Sequence, residues 1–285
     1  MEHQMSESSY YRRLLNKISL FITAQNLILE ILEGSEKESS FIDLMNDHHV
    51  FFIDNKPKLI EILHLLSQVS HQRVHNEEKT RIINILSLMD KHIRKMISKT
   101  EVLSIFNSNF MLILFAIEKN WTDLSTVINN MDEFKYLFFL PDIFQADKKV
   151  FTEFHEFYHC SHFVKKYFEN GNFSLFLKNR IQFHNENHIA QIIREDNIDS
   201  FIDYISTVNL DLNSKIPSSI FEQNYEINNY SYLMEYSALF SSIHIFKFIW
   251  VNKTVIPTKI MDAAIIGGNY EIIHIVEEAH CLKCF

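Results

Sequence analysis

The chain has 285 residues, 47% of them hydrophobic, with four glycines and four prolines; this is enough apolar material for a continuous core and too few turn residues for an all-β fold or a phosphate-cradling loop. Its formal charge of -9 at pH 7 repels a polyanion on average and disfavours nucleic acid as a partner. Three cysteines, Cys160, Cys281 and Cys284, are too few for a disulfide framework and fit reduced thiols.

The opening, Met1 to Lys17, is polar, and the apolar residues after it are interrupted by Thr23, Gln25, Asn26 and Glu30, so no signal-peptide core is expected. Tyr11, Leu14, Leu15, Ile18, Phe21 and Ile22 recur at steps of three and four after the cap candidates Ser8 and Ser9, which predicts a long helix ended by Gly34. A second helix is predicted after Pro57, through Leu59, Ile62, Leu63 and Leu66. A third runs through Ile82, Ile83, Leu86, Met89, Ile93 and Ile97 after Asn76. Lys91, Arg94, Lys95 and Lys99 partly share one face of that third helix and are read as its solvated side.

From Asn109 the texture changes. Met111 to Ile117 is apolar, Glu118-Lys-Asn-Trp121 reads as a tight turn, and Leu124, Val127 and Ile128 begin another helix. No uninterrupted apolar run approaches the roughly 20 residues that cross a bilayer, so a soluble, cytoplasmic protein without a membrane span is expected. Phe134 to Ile143 is predicted to stop near Pro141, and Val150 to Phe168 to form a helix ending at Asn170-Gly171.

Two motifs suggest metal chemistry. His155-Glu156-Phe157-Tyr158-His159 matches the spacing that sets two zinc ligands one helical turn apart around a general-base glutamate, so the alternative to a binding role is a zinc-dependent hydrolase. His162 stands where the longer form of that motif has glycine, and Phe151, Phe154, Phe157, Tyr158 and Phe163 read equally as the core side of a helix. Cys281-Leu-Lys-Cys284 is a single Cys-x-x-Cys pair near the C-terminus and reads as a tail with incidental thiols. No cofactor, metal or catalytic residue is expected.

The most informative region is the last hundred residues, where one pattern returns three times: Asp196 to Tyr204, Ser241 to Ile249 and Gly268 to Val276. Each segment opens on a turn residue and places bulky side chains at offsets two, five and eight: Ile198/Phe201/Tyr204, Ile243/Phe246/Ile249 and Tyr270/Ile273/Val276. Such helix pairs bury their apolar faces only by stacking on neighbours.

Tyr232 to Ile249 resembles the opening and both helices of an ankyrin repeat, with Ser237-Ala238 at the small-residue pair and Ser241 at the usual turn glycine. Asn209-Leu-Asp-Leu-Asn213 resembles the sequence that closes the second ankyrin helix and starts the extended finger. With Ile192 to Phe201, Leu210 to Pro217 and Ser218 to Phe221, the chain looks like a member of an uncharacterised ankyrin-type family of protist proteins, a domain of unknown function. The resemblance implies an all-α, helical-hairpin solenoid that binds protein and has no enzymatic role. Residues 1–108 would form a helical region that caps or extends the stack, and 109–285 the degenerate array, best matched over 183–278. Positions just before the inter-helix turn would face the partner: Arg194, Glu195, Leu239, Phe240, Ile266 and Gly267. Leu239 and Phe240 are the expected anchors if exposed, and otherwise a seal of the first helix against its neighbours.

Overall fold

The structure, a computed structural model, describes residues 2–35, 37–72, 76–107, 109–158, 165–169, 172–222, 232–252 and 255–281. Among these residues the chain is all-helical, as expected: no strand forms, and the one β-bridge joins Lys215 to Tyr232. Two compact units divide the chain, Met1–Val127 and Ile128–Phe285, a boundary later than the 108/109 division read from the sequence.

The first unit holds α1 (Glu2–Leu32), α2 (Glu38–Asp47), α3 (His49–Phe52), α4 (Lys56–Gln72), α5 (Asn76–Leu88), α6 (Asp90–Met96), α7 (Lys99–Phe106) and α8 (Phe110–Glu118). It ends in α9 (Leu124–Ile128). Ala24, Ile28, Ile31 and Leu32 of α1 are buried, and α1 packs on α2 and α5. Gly34, at φ +97°, closes α1 as expected, because the left-handed conformation there lets Ser35 N–H reach the Glu30 carbonyl at 3.0 Å. Arg81 Nη1 of α5 donates to the Leu32 carbonyl at 2.6 Å, satisfying another of the acceptors a helix end leaves over.

The helix predicted from Ile82 to Ile97 is two helices, α5 and α6, that meet at Met89. Asp90 opens α6, and its carboxylate accepts Trp121 Nε1–H at 2.7 Å and Arg94 Nε–H at 2.8 Å. The Trp121 bond is the chief cause of the lowered Asp90 pKa, and the negative charge also suits a helix N-terminus. The hydrophobic period runs across the break, since Ile82, Ile85, Leu86, Met89, Ile93 and Ile97 are all buried. Arg94 is therefore committed to Asp90, and Lys99 to Asp123 of the turn before α9. The basic stripe is split between α6 and α7, with half of its charges paired.

Helix α7 starts with a capping box, Ser98 with Glu101, and the Glu101 carboxylate also takes Lys56 Nζ at 2.8 Å. Asn109 caps α8 through Leu112 N–H (3.1 Å), and its amide donates to the buried Ser70 hydroxyl.

The second unit begins with α10 (Glu133–Ala146) and α11 (Lys148–Tyr158), which pack on each other. A π-helical turn (Lys165–Glu169) and α12 (Phe173–Gln182) follow. The expected stop at Pro141 is corrected: α10 runs through it. Proline removes one helix hydrogen bond, a cost of about 3 kcal/mol in an isolated helix. Here Tyr136, Phe138, Phe139, Leu140 and Ile143 around it are fully buried, and the apolar transfer of five such side chains outweighs that loss. Arg180 of α12 reaches back to the Phe138 carbonyl at 3.5 Å and pairs with Asp142. Of the predicted Val150 to Phe168 helix, α11 covers the start and the π-helical turn lies at the end; residues 159–164 and Asn170-Gly171 fall outside the described residues.

Three helix pairs complete the unit: α13 (His188–Arg194) with α14 (Ile198–Val208), α15 (Leu233–Leu239) with α16 (Ile243–Val251), and α17 (Ile260–Gly267) with α18 (Tyr270–Cys281). First helices pack on first helices, α13 on α15 and α15 on α17. Second helices pack on second helices, α14 on α16 and α16 on α18.

Candidate functional site

The three turns that open the repeated segments share one backbone geometry. Asp196, Ser241 and Gly268 have φ of 47°, 58° and 74°, and Asn120 between α8 and α9 has φ 57°. At Asp196, Ser241 and Asn120 the next residue's N–H bonds five residues back: Asn197 to Ile192 (3.3 Å), Ser242 to Ser237 (2.9 Å) and Trp121 to Ala116 (2.8 Å). This left-handed helix closure normally takes glycine. Asparagine and aspartate tolerate it best among other residues, while serine at 241 carries more of the steric cost.

The turn side chains compensate by tying successive pairs together. Asp196 accepts His244 N–H (3.2 Å), Ile245 N–H (3.1 Å) and a contact from His244 Nδ1 (2.7 Å), so a turn of the first pair caps α16 of the second. Ser242 Oγ donates back to the Ile193 carbonyl at 2.5 Å, and Ser241 Oγ donates forward to the Gly267 carbonyl at 2.6 Å. Lys247 pairs with Glu271 across α16 and α18.

Gly267 sits at the closest approach of α15 and α17. A Cβ there would lie 2.2 Å from the Ala238 carbonyl oxygen and 2.9 Å from that of Leu239, so its lack of a side chain sets the helix spacing. Gly268, one residue on, has nothing within 4 Å of such a Cβ; only its positive φ asks for glycine.

Of the residues predicted to face a partner, Arg194 and Phe240 come together in a mostly buried cluster. Arg194 Nη1 donates to Tyr236 Oη at 2.7 Å, and its guanidinium lies 5.9 Å from the Phe240 ring centroid. Tyr236 packs at 4.5 Å and His184 at 5.7 Å on Phe240. Tyr236 Oη in turn donates to Glu222 at 3.3 Å, and the same carboxylate oxygen accepts Asn185 N–H at 3.2 Å. Burial, and then the Glu222 charge, push the Tyr236 pKa well above its ordinary value, with Arg194 opposing. The hydroxyl is therefore a fixed donor, and the cluster is structural in its chemistry.

Of the two readings left open for Leu239 and Phe240, the exposed anchor is the one their burial disfavours: they are 2% and 5% exposed. Both sit at the end of α15, where it meets helices on two sides, and the seal is the role that this burial fits. Ile266 is half-buried beside Gly267 on α17.

Glu195 alone of the set is exposed. It borders a groove of about 330 Å³ between α13 and α14, lined by His188, Gln191 and Glu195 on one side and by Ser200, Asp203 and Tyr204 on the other. Gln191 Nε2 holds Glu195 Oε1 at 3.1 Å, and His188 meets Tyr204 edge-on at 5.4 Å. Two carboxylates, an imidazole and a phenol thus line one shallow, open groove whose exposed lining is more apolar than polar. The sequence offered one signal for it, the i, i+3, i+7 series His188, Gln191 and Glu195 beside Ser200, Asp203 and Tyr204, but nothing said that this face stays uncovered.

Among the described residues no three histidine, cysteine, aspartate or glutamate side chains come close enough to hold a metal. Glu156 is exposed on α11, while His159, Cys160 and His162 lie outside the described residues, as does Cys284. Within α1, Leu14–Leu32 is long and apolar enough to cross a bilayer by length and composition, a continuity that counting uninterrupted apolar runs did not detect. Compared with family models, curated proteins and solved structures, the chain matches none.

Proposed function

We propose that the C-terminal helix pairs are a degenerate ankyrin-type solenoid whose task is to bind another protein, with no catalytic role of their own. The observation that carries this reading is the recurrence of one left-handed turn at Asp196, Ser241 and Gly268, in helix pairs stacked first on first and second on second. Repeats of this kind present one continuous surface built from equivalent positions.

The binding face is the groove of the first pair, with Glu195 and Asp203 at its rim. Its chemistry suits a partner segment bearing basic or hydrogen-bond-donating side chains, because exposed carboxylates set orientation and encounter rate more than raw affinity. The test is affinity capture from native cytosol with the full chain, followed by mass spectrometry, repeated with Glu195→Lys/Asp203→Lys. A partner that binds the parent chain and is lost from the charge-reversed variant, at an unchanged thermal midpoint, supports the proposal. Identical captured proteins with both chains would sink it. Leu239→Ser/Phe240→Ser should instead lower stability by about 3 kcal/mol or more, the cost of emptying two buried apolar sites.

A further inference from the structure

The N-terminal half of α1 presents an apolar stripe that the first unit does not cover. Leu14, Leu15, Ile18 and Ile22 are 41%, 63%, 46% and 51% exposed. On a helix turning about 100° per residue they fall within a stripe roughly 100° wide, with Arg12 and Lys17 about 60° beyond its two edges. Both cations are exposed. From Ser8 to Leu29 the sequence carries Arg12, Arg13 and Lys17 and no acidic residue, in a chain whose formal charge is -9.

We infer that this half-helix lies in the surface of an anionic lipid bilayer, with the apolar stripe in the acyl boundary and the flanking cations at the headgroups. An apolar face bordered by basic residues has this preference because long cationic side chains reach back to the phosphates while the stripe leaves water. A second copy of the chain is the poorer occupant. It would bring the same Arg12 and Lys17 to both edges of the stripe, and a single carboxylate, Glu7, lies on the line of the stripe one turn before Tyr11.

The helix lies in the surface and does not span it, although Leu14–Leu32 has the length to cross. Its C-terminal half is already committed: Ala24, Ile28, Ile31 and Leu32 are buried in the first unit, and Arg81 holds the Leu32 carbonyl. Spanning would require withdrawing those residues from the core. The helix thus divides at about Phe21, which packs edge-on against Phe51 and Phe52 at 5.4 and 5.5 Å.

The experiment is flotation of the purified full chain with vesicles of phosphatidylcholine alone and with about one-third phosphatidylserine, at low and high salt. The expected result is flotation with the phosphatidylserine vesicles, weak flotation with phosphatidylcholine alone, and release by salt. Leu15→Asp/Ile18→Asp should abolish flotation. Arg12→Gln/Lys17→Gln should weaken it roughly thirtyfold at low salt and flatten its salt dependence. All four positions are exposed, so circular dichroism and the thermal midpoint should stay at parental values and separate lost binding from lost folding. No flotation of the parent chain overturns the proposal, as does flotation that both variants leave unchanged. Flotation that resists high salt and alkaline extraction overturns it in favour of a span. A dimer in solution that Leu15→Asp/Ile18→Asp dissolves, without vesicle binding, overturns it in favour of a second copy.

Discussion

Two adjacent glycines, Gly267 and Gly268, should respond to alanine in different ways and by different amounts. At Gly267 a new Cβ meets the Ala238 carbonyl oxygen at 2.2 Å and the Leu239 carbonyl oxygen at 2.9 Å. Both obstacles are backbone, so relief requires α15 and α17 to move apart by about 1 Å, loosening contacts around the buried Ile260 and Ala264. Overpacking of this kind costs roughly 1–3 kcal/mol and sometimes more. Against it stands the gain of about 0.8–1 kcal/mol from replacing glycine within a helix. Because the obstruction is backbone on both counts, the cost lies at the top of that range, and we expect a net loss of about 2 kcal/mol for Gly267→Ala.

At Gly268 the space is free and φ is +74°, so Gly268→Ala bears only the left-handed penalty, about 1 kcal/mol. Urea titration followed by Trp250 fluorescence in a Trp121→Phe background confines the readout to the second unit. The midpoint order should be parent, then Gly268→Ala, then Gly267→Ala. A loss at Gly268 equal to or larger than that at Gly267 would refute the close helix approach as the reason for glycine at 267.

Three further outcomes test the turn chemistry and the first unit. Asp196→Ala should destabilise by about 1–2 kcal/mol, because the His244 and Ile245 N–H groups at the start of α16 lose their acceptor; thermal unfolding checks this, and Asp196→Asn should recover much of the loss. Asn120→Gly should raise stability by about 0.5–1 kcal/mol through relief of φ 57°, whereas Ser241→Gly should be close to neutral, since it also gives up the bond to the Gly267 carbonyl. Lys56 and Ser98 together hold the Glu101 pKa down to about 2, Lys56 contributing most. Its folded pKa lies below the ordinary glutamate value of 4.5, so its contribution is complete above about pH 4.5 and is lost as pH falls through about 2. Glu101→Gln should therefore flatten the acid side of the stability profile between those limits, and an unchanged acid midpoint would contradict the pairing.

Much of the second unit was legible in the sequence because its defining features are local. A left-handed turn is a property of one residue and its neighbours, so Asp196, Ser241 and Gly268 could be aligned and their turns expected without any contact known. The offsets of Ile198, Phe201 and Tyr204 likewise describe a helix face directly, and Gly34 announced the end of α1. The functional face was much less legible. Leu239 and Phe240 have the composition of a binding anchor, but composition does not tell whether an apolar pair meets a partner or its own neighbouring helices.

The sequence by itself determined the all-α class, the turn positions of the three C-terminal pairs and the end of the first helix, all consequences of short-range sterics and hydrophobic period. Tertiary structure alone decided the rest. It carried α10 through Pro141 by burying the aromatic residues around it, and it split the third predicted helix where Trp121 meets Asp90. It placed Leu239 and Phe240 inside, and left Glu195 beside an open groove. The physical reason is range: backbone conformation responds to a few neighbouring residues, whereas burial depends on which surfaces distant segments cover.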